Sequence, residues 1–387
     1  MPGRIPTIPF MSSLRLRAAR GSAGQNPGYL AAEQFYNPVA VTVGGTDVPG
    51  FTVGGAGNQN LKPEKSTETE GGFDLGLLND RLNIEYTHYS KTTRDALVNV
   101  DLAPSLGSAT NRFQNLARVK NWGDELVLRA DLVNRDSWKL NFLVNGSWSR
   151  NRLLDLGLDD NGHAIPQFTG GFDDTQIFKA GLPLGAYYQR GITSVNDANK
   201  DGMIACPDGP GTDGCEFTVA DSASYLGTPF PQAEINFVPQ LSLGRFARIT
   251  ATLDHRGGQK IYNLTGVYRN AIFLNGSAVQ LPTASNLQEQ AAAQAAAFGL
   301  NGGYIEDASF TKLRELTVSL FLPQSWAAKA RAGSATLTLA GRNLHTWTNY
   351  TGLDPELNAG AQANFTTTDF LTQPQIRYFT ARLSLGF

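Results

Sequence analysis

Apolar and polar side chains alternate along several stretches of this chain. In residues 138–152 the apolar set on one face is Leu140, Phe142, Val144 and Trp148, and the polar set on the other is Asn141, Asn145, Ser147 and Ser149. Residues 376–387 alternate in the same way and end on an aromatic side chain, Phe387. A period of two predicts β-strands that have one apolar and one polar face.

The same pattern predicts ten strands in all. They cover residues 14–20, 67–77, 82–97, 115–133, 138–152, 233–243, 247–262, 309–322, 334–347 and 376–387. Aromatic residues lie near many of the strand ends, including the pairs Tyr187–Tyr188 and Trp347–Tyr350. Such clusters are typical of the aromatic girdles of membrane barrels.

The connections between these strands are alternately short and long. Short turns are predicted at residues 78–81, 134–137 and 244–246, with a slightly longer one around Pro323. The long gaps are residues 21–66, 98–114, 153–232, 263–308 and 348–375. Short turns on one side and long loops on the other predict an all-β fold, an antiparallel transmembrane β-barrel with about 10 to 12 strands in this chain. By parity, residues 153–232 contain zero or two further crossings, and residues 185–195 are a candidate for part of such a pair.

Composition agrees with an all-β protein and excludes some functions. The chain has 387 residues, with 32 Lys and Arg against 34 Asp and Glu, so it has no clear basic excess for binding nucleic acid. It has 41 Gly, and no apolar run reaches the length of about 20 residues that a membrane helix requires. The N-terminus lacks the apolar segment of a signal peptide, and we therefore expect the chain to be part of a longer exported protein.

Several segments resemble TonB-dependent outer-membrane receptors of the SusC/RagA type. They occur in the order of that family and cover residues 60–70, 72–76, 89–97, 226–231, 257–263, 304–316 and 341–356, before the last strand. The segment 341–356 and the last strand, which ends at Phe387, are quite specific. The resemblance implies a barrel of about 22 strands around an N-terminal plug, in the outer membrane of a Gram-negative type of cell.

The resemblance also implies partners and a substrate class. Receptors of this type import glycans or peptides, pair with a SusD-like surface lipoprotein, and are energised through the periplasmic protein TonB. The strand that ends at Phe387 resembles the signal read by the barrel-assembly machinery. Since this chain has no plug and no TonB box, we expect residues 1–387 to be the C-terminal portion of the barrel, surrounded by outer-membrane lipid. TonB would act only through the missing N-terminal part, and the chain would not transport alone.

One loop has the spacing of a calcium site. Asp197, Asn199 and Asp201 would supply side-chain oxygens at positions 1, 3 and 5, Met203 its carbonyl at position 7, and Asp208 a carboxylate at position 12. A full EF-hand has a bidentate Glu at position 12 and flanking helices, both of which are missing here. The alternative is an ordinary turn rich in Asp, Asn and Gly.

The remaining candidate chemistry is sparse. Cys206 and Cys215 enclose a short polar loop and are predicted to form a local disulfide. The four histidines have no zinc spacing, and no catalytic motif is present, so we expect no enzyme activity. Residues 289–298 could form a short helix within a loop. Aromatic candidates for stacking on a sugar are Tyr187, Tyr188, Trp347 and Tyr350.

Two other functional classes stay open. One is an outer-membrane adhesin or enzyme barrel that stands alone, and the other is a secreted carbohydrate-binding β-sandwich.

Overall fold

A computed structural model describes residues 10–101, 111–115, 117–158, 162–360 and 365–387, without the side chains of 98–101 and 111. Ten strands form one sheet, here called the wall. They are β1 (Met11–Gln25), β2 (Glu64–Leu77), β3 (Leu82–Arg94), β4 (Arg118–Asn134), β5 (Trp138–Asp155), β6 (Ala233–Leu243), β7 (Ala247–Gly257), β8 (Phe310–Phe321), β9 (Ser334–Thr348) and β10 (Tyr378–Gly386).

Each strand of the wall pairs antiparallel with its neighbours in chain order. The short turns all lie at one end, the short-turn end, and the long connections all lie at the other, the long-loop end. Within the described residues, β1 pairs only with β2 and β10 only with β9, so the sheet has two open edges. The predicted alternation of short and long connections is confirmed.

Strand alternation gives the wall two different faces. The outward face is apolar, and Phe142 of β5 contacts Phe237 of β6 there with ring centroids 5.8 Å apart. Many of its side chains are solvent-exposed in the isolated chain, among them Leu14, Leu16, Leu339 and Leu383. The inward face carries polar and charged side chains, as in the pair Arg17–Asp74 between β1 and β2. The predicted apolar face of β5 is therefore confirmed, since Phe142 on this face packs against an apolar side chain of β6.

β5 pairs directly with β6, so none of the described residues between 156 and 232 crosses the wall. The proposal that residues 185–195 form part of a crossing pair is wrong. Its strands Ala186–Gln189 and Ile192–Val195 belong to small separate sheets at the long-loop end. These strands have four residues each, too few to cross a bilayer as strands of about 10 residues do.

Several strand limits differ from the predicted ones. β1 is longer than residues 14–20, since its pairing with β2 continues to Gln25. The predicted strand 82–97 ends at Arg94, and the predicted strand 115–133 begins at Arg118. The predicted strand 247–262 breaks at Gly258, whose φ of 84° suits glycine. Beyond the break, Lys260–Asn263 leaves the wall and joins another sheet.

The long connections contain regular structure of their own. The strands are Gln34–Val43, Thr46–Ala56, Leu97–Asp101, Asn111–Asn115, Gln167–Gly170, Gln176–Lys179, Ala186–Gln189, Ile192–Val195, Phe217–Val219, Ser224–Gly227, Lys260–Asn263, Ile305–Asp307 and Thr368–Asp369. The helical segments are Phe172–Asp174, Leu264–Val267, Tyr268–Ile272, Ser277–Gln280, Leu287–Ala297 and Asn301–Tyr304, with Gln324–Lys329 in a short turn. The predicted helix 289–298 corresponds to Leu287–Ala297. Among the described helices, none is long and apolar enough to cross a membrane.

The large buried side chains lie mainly in these connections and not in the wall. Tyr187, Tyr262 and Tyr304 are almost completely buried and share one cluster with Leu264 and Val267. This cluster joins the connection 156–232 to the connection 258–309. We call the packed unit formed by these two connections and residues 349–377 the loop body.

Candidate functional site

A group of charged side chains joins the inward face of the wall to the loop body. Lys312 and Arg314 of β8 and Asp254 of β7 meet Asp354 and Glu356 of the last long connection. We call these five residues the ion cluster. Lys312 pairs with the inward-facing Asp254 of β7, and Arg314, where the register of β8 shifts, contacts the same Glu356 carboxylate.

The cluster has close contacts throughout. The Lys312 ammonium donates to both oxygens of Asp354, at 2.7 and 2.8 Å, and to Glu356 Oε2 at 2.5 Å. Arg314 donates to both oxygens of Glu356, at 2.6 and 2.5 Å, and to Asp254 Oδ2 at 2.6 Å. The Lys312 side chain is only 6% exposed. Buried ions of this kind require partners, so residues 354–356 are fixed to the wall.

The electrostatics of Glu356 reflect this arrangement. Burial acts to raise the pKa of the Glu356 carboxyl, but hydrogen bonds from Arg314 and Lys312 outweigh it and lower the pKa to about 2. The carboxylate therefore stays ionised well below neutral pH, and its attraction to the two cations persists.

A second set of contacts holds residues 367–369 in the loop body. The buried Tyr187 hydroxyl donates to the carbonyl of Thr367, and Tyr350 donates to Asp369 Oδ2 at 2.8 Å. The short strand Thr368–Asp369 pairs in parallel with Lys260–Asn263. Burial raises the pKa of the Asp369 carboxyl and of the Tyr350 hydroxyl. All three long connections of the loop body are therefore joined by specific polar contacts.

A cavity of about 440 Å³ opens within the loop body. Its polar lining includes Glu289, Glu306, Lys260 and Asn349. Burial raises the pKa of the Glu306 carboxyl, which accepts hydrogen bonds from Asn263 and Thr351. The volume is at the small end of the range for ligand pockets. A small polar group is the kind of ligand that such a lining could bind.

The aromatic side chains predicted for stacking occupy other positions. Tyr187 and Tyr350 are buried, with their hydroxyls hydrogen-bonded, so neither offers a ring face nor belongs to a girdle. Trp347 lies half-exposed on the outward face, because it pairs with Thr311 at an outward position of β8. Tyr188 is partly exposed, and the Lys179 ammonium lies 5.5 Å from its ring centroid.

The predicted calcium loop forms a tight turn. Asp197 accepts hydrogen bonds from the backbone N–H groups of Asp201 and Gly202, at 3.2 and 2.9 Å. Asn199 Oδ1 accepts from Asp201 N at 3.0 Å, and Asp201 Oδ1 accepts from Met203 N at 2.8 Å. The side-chain oxygens at positions 1, 3 and 5 thus accept the backbone hydrogen bonds of one turn.

The end of this loop fits less well. Asp208 is exposed, and no hydrogen bond or ion pair within the described ranges joins it to Asp197, Asn199 or Asp201. In those same ranges no group of three or more His, Cys, Asp or Glu side chains is placed to hold a metal ion. The turn alternative is therefore sufficient to account for the geometry.

The two remaining predicted features can also be located. The sulfur atoms of Cys206 and Cys215 are 2.06 Å apart, at bonding distance, in a loop packed against Ala291 and Ala295 of the helix Leu287–Ala297. Phe387 directly follows β10 at the short-turn end, and the residue is 91% exposed.

The ion cluster is the part of the site that sequence reasoning missed. Its signal was present, since Lys312 and Arg314 lie at positions of a predicted strand, and Asp354 and Glu356 lie within a segment of the family resemblance. The sequence does not show the path of residues 349–377. This path brings Asp354 and Glu356 to the cations of β8.

Comparison with protein families gives the decisive observation. The family model described as TonB dependent receptor-like, beta-barrel matches residues 8–202. The chain belongs to the TonB-dependent receptor family. Members of this family are outer-membrane β-barrels, and the predicted family and fold class are therefore confirmed. The β-sandwich alternative is wrong, because the ten wall strands form one sheet with sequential neighbours.

Curated relatives of this TonB-dependent receptor chain are similar along nearly its whole length. TonB-dependent receptor P3 of Formosa agariphila is 27% identical, over 97% of this chain and 40% of the relative. TonB-dependent receptor SusC of Bacteroides thetaiotaomicron is 25% identical, over 98% of this chain and 38% of the relative. The chain thus spans about two fifths of the length of these relatives.

Solved structures agree on the fold. A chain of the RagAB peptide importer in its closed-closed state superposes with a TM-score of 0.76 at 22% identity. The match covers 98% of this chain and 42% of that one. At this identity the likeness is one of fold, and it includes the long connections as well as the wall.

Proposed function

We propose that this chain forms part of the barrel wall and the outer entrance of a TonB-dependent importer in the outer membrane. The observation that carries the proposal is the loop body, which is packed, polar-lined and fixed by the ion cluster to the inward face of a wall that is apolar outside. A wall of this kind separates lipid from a polar interior. A packed body at its long-loop end suits the capture of a solute before it enters that interior.

The substrate class we propose is a glycan or a peptide. SusC is a relative of this chain, and the structural neighbour RagAB is a peptide importer. The cavity lined by Glu289, Glu306 and Asn349 offers hydrogen-bonding groups that suit either class. The one aromatic residue of the lining, Tyr304, is almost completely buried and offers no ring face to a sugar, whereas Glu289 and Lys260 can pair with the amino and carboxylate groups of a peptide.

The partners follow from the same family. We propose a SusD-like lipoprotein at the long-loop end, and TonB acting through a part of the receptor outside these residues. The strand that ends at the exposed Phe387 would be read by the barrel-assembly machinery. No enzyme activity is proposed.

Uptake tests the proposal directly. Cells that carry the complete gene product should accumulate labelled peptides or oligosaccharides, and a protonophore should stop this accumulation because TonB depends on the proton gradient. Cells expressing only these 387 residues should not accumulate the substrate. If the protonophore leaves the amount of cell-bound substrate unchanged, the protein binds the substrate at the surface without importing it. The proposal of import would then be wrong, and an adhesin function would take its place.

We also propose, as a separate point, that the loop of Asp197, Asn199, Asp201, Met203 and Asp208 binds calcium weakly, at the millimolar level typical of extracellular sites. The oxygen-bearing side chains of the first three residues, which one tight turn holds together, support this. Isothermal titration with calcium should show one weak site. The variant Asp197→Asn should lose this site. The variant Asp208→Asn should keep it, because no hydrogen bond or ion pair of the described residues joins Asp208 to the first three. Equal, negligible heat in the original protein and in Asp197→Asn would leave the loop as a turn without metal.

A further inference from the structure

The outward face of β4 and β5 changes character in three steps toward the long-loop end. Near the middle of the wall it is apolar, with Leu126 and Leu128 on β4 and Phe142 and Val144 on β5. Two tryptophans, Trp122 and Trp148, follow. Three cations come last and share this face by strand alternation: Lys120, Arg150 and Arg152.

Register places the three cations next to each other. Lys120 lies directly opposite Arg152, and Trp122 lies opposite Arg150. Directly opposite residues have Cβ atoms about 5 Å apart, so the cations form a compact group. The Lys120 ammonium lies 5.6 Å from the centroid of the Trp122 ring, which confirms that both point to the same side.

Two of these cations, Lys120 and Arg152, have no anionic partner in the described part of the chain, whereas Arg150 is attracted to the carboxylate of Asp124. None of the ion pairs there includes Lys120, Arg150 or Arg152, and all three are exposed. Two carboxylates lie nearby, but both are engaged. Asp124 accepts hydrogen bonds from the Tyr86 hydroxyl at 2.6 Å and from the His88 ring at 2.9 Å, and Asp155 pairs with Arg118. β3, the neighbour of β4 on the side away from β5, has neutral residues opposite this group. Ser90 lies opposite Trp122, and Thr92 lies opposite Lys120.

A groove runs beneath the cations. Its volume is about 560 Å³, and its lining includes Trp122, Trp148, Arg150 and Asp124. Gly146 allows the Trp148 ring to lie along the strand, since a Cβ atom there would be 2.8 Å from that ring. The groove therefore has an apolar lower part bounded by indole rings and a cationic upper rim.

We propose that this groove binds a phosphorylated lipid of the outer leaflet. Its acyl chains would lie against Leu126 and Val144, and its phosphate would contact Arg150, Arg152 and Lys120. Charge complementarity carries the assignment, because a group of three cations that shares only the carboxylate of Asp124 lies just above an apolar wall and matches an anionic headgroup just above its acyl chains. Indole rings at this height are typical of the membrane interface. The proposal rests on the outer-membrane placement proposed above and does not depend on transport.

Native mass spectrometry of the complete protein in neutral detergent tests the proposal, with phosphatidic acid as the probe. Arg150→Gln with Arg152→Gln should weaken the binding of phosphatidic acid by about 30-fold, since a cation near an anionic surface contributes roughly fivefold each. The matched control is Arg135→Gln with Lys139→Gln, which removes two exposed cations at the short-turn end, one from the turn between β4 and β5 and one from β5. It should bind the lipid like the original protein.

Two further probes identify the source of the anion. Diacylglycerol, which lacks the phosphate, should bind weakly and equally to all variants. Inorganic phosphate at the same concentration should not displace phosphatidic acid. If it does, the ligand of the groove is a free anion and not a lipid. Equal lipid binding by the test and control variants would overturn the proposal, while uptake by the same proteins reports on import separately. If the double variant fails to reach the membrane, Lys120→Gln alone should still reduce lipid binding by about fivefold.

Discussion

At the scale of single residues, the account depends on Lys312 and its two carboxylate partners. Lys312 lies on a strand that the sequence pattern located correctly, and alternation was sufficient to place it on the inward face. Its contact with Asp354 could not be predicted, because the two residues are 42 positions apart and are joined by a connection whose path depends on tertiary packing. Sequence periodicity shows which side chains of a strand share a face of the sheet. It does not show which loop packs against that face.

Lys312→Met should detach residues 354–356 from the wall. The substitution leaves Asp354 and Glu356 buried with one cation fewer, which costs about 3 kcal/mol. Hydrogen exchange should show faster exchange of the amides of this segment and little change in β8. The matched control is Arg129→Met, which breaks an exposed pair with Glu85 and should cost less than about 1 kcal/mol. Unchanged exchange in Lys312→Met would mean that the ion cluster does not fix the loop.

The same segment should respond to acid. The pKa of the Glu356 carboxyl is lowered in the folded protein to about 2, below its ordinary value near 4.5. A lowered pKa stabilises the fold above the ordinary value, and this stabilisation is lost as the pH falls from about 4.5 toward 2. Cleavage of residues 349–360 by an acid-active protease should therefore increase across this window.

Glu356→Gln isolates this effect. The raised pKa values of Glu306 and Asp369 give a contribution of the opposite sign, favouring the fold at low pH, but both groups are present in the original protein and in the variant. The variant should be cleaved readily at all pH values between 5 and 2. A protected segment in the variant at pH 5 would show that Glu356 adds nothing to the attachment.

At the scale of elements, the wall could be predicted and the loops largely could not. Period-two alternation located all ten wall strands, because each one has a single apolar face. The hairpin of Gln34–Val43 and Thr46–Ala56 was missed although its signal was present. Gly44 and Gly45 have φ of 60° and 82°, as a two-residue hairpin turn requires, and apolar β-branched residues flank them. The small strands of the loop body have only a few residues each, too few for any period to be visible.

Two adjacent glycines of β2 provide a test of the wall itself. A Cβ atom on Gly72 would lie 2.1 Å from the backbone oxygen of Tyr86, while one on Gly71 would have its nearest neighbour at 3.9 Å. Gly72→Ala should separate β2 from β3 locally and cost about 2 kcal/mol or more. Gly71→Ala should change stability by less than about 1 kcal/mol. Urea unfolding of the protein in detergent measures both, and equal effects would contradict the close approach of the two strands.

At the scale of the whole molecule, the wall is an open sheet whose outward face is apolar along most of its height. The chain spans about two fifths of the length of its curated relatives, and the two open edges, at β1 and β10, are where further strands of a closed barrel would pair. Closure is required in lipid because unpaired backbone groups cost several kcal/mol each. The number of strands and the family could be predicted from the sequence, whereas the packing of three connections into one loop body could not.

The measurement that tests the central claim most directly is site-by-site labelling of β4 in outer membranes. Single cysteines would replace Leu126, Val127, Leu128 and Arg129, one at a time, in a background with Cys206→Ser and Cys215→Ser. We expect a lipid-soluble reagent to label positions 126 and 128, which face outward, and a charged water-soluble reagent to label positions 127 and 129, which face the interior. Labelling of all four positions by the water-soluble reagent would contradict a wall that separates lipid from a polar interior.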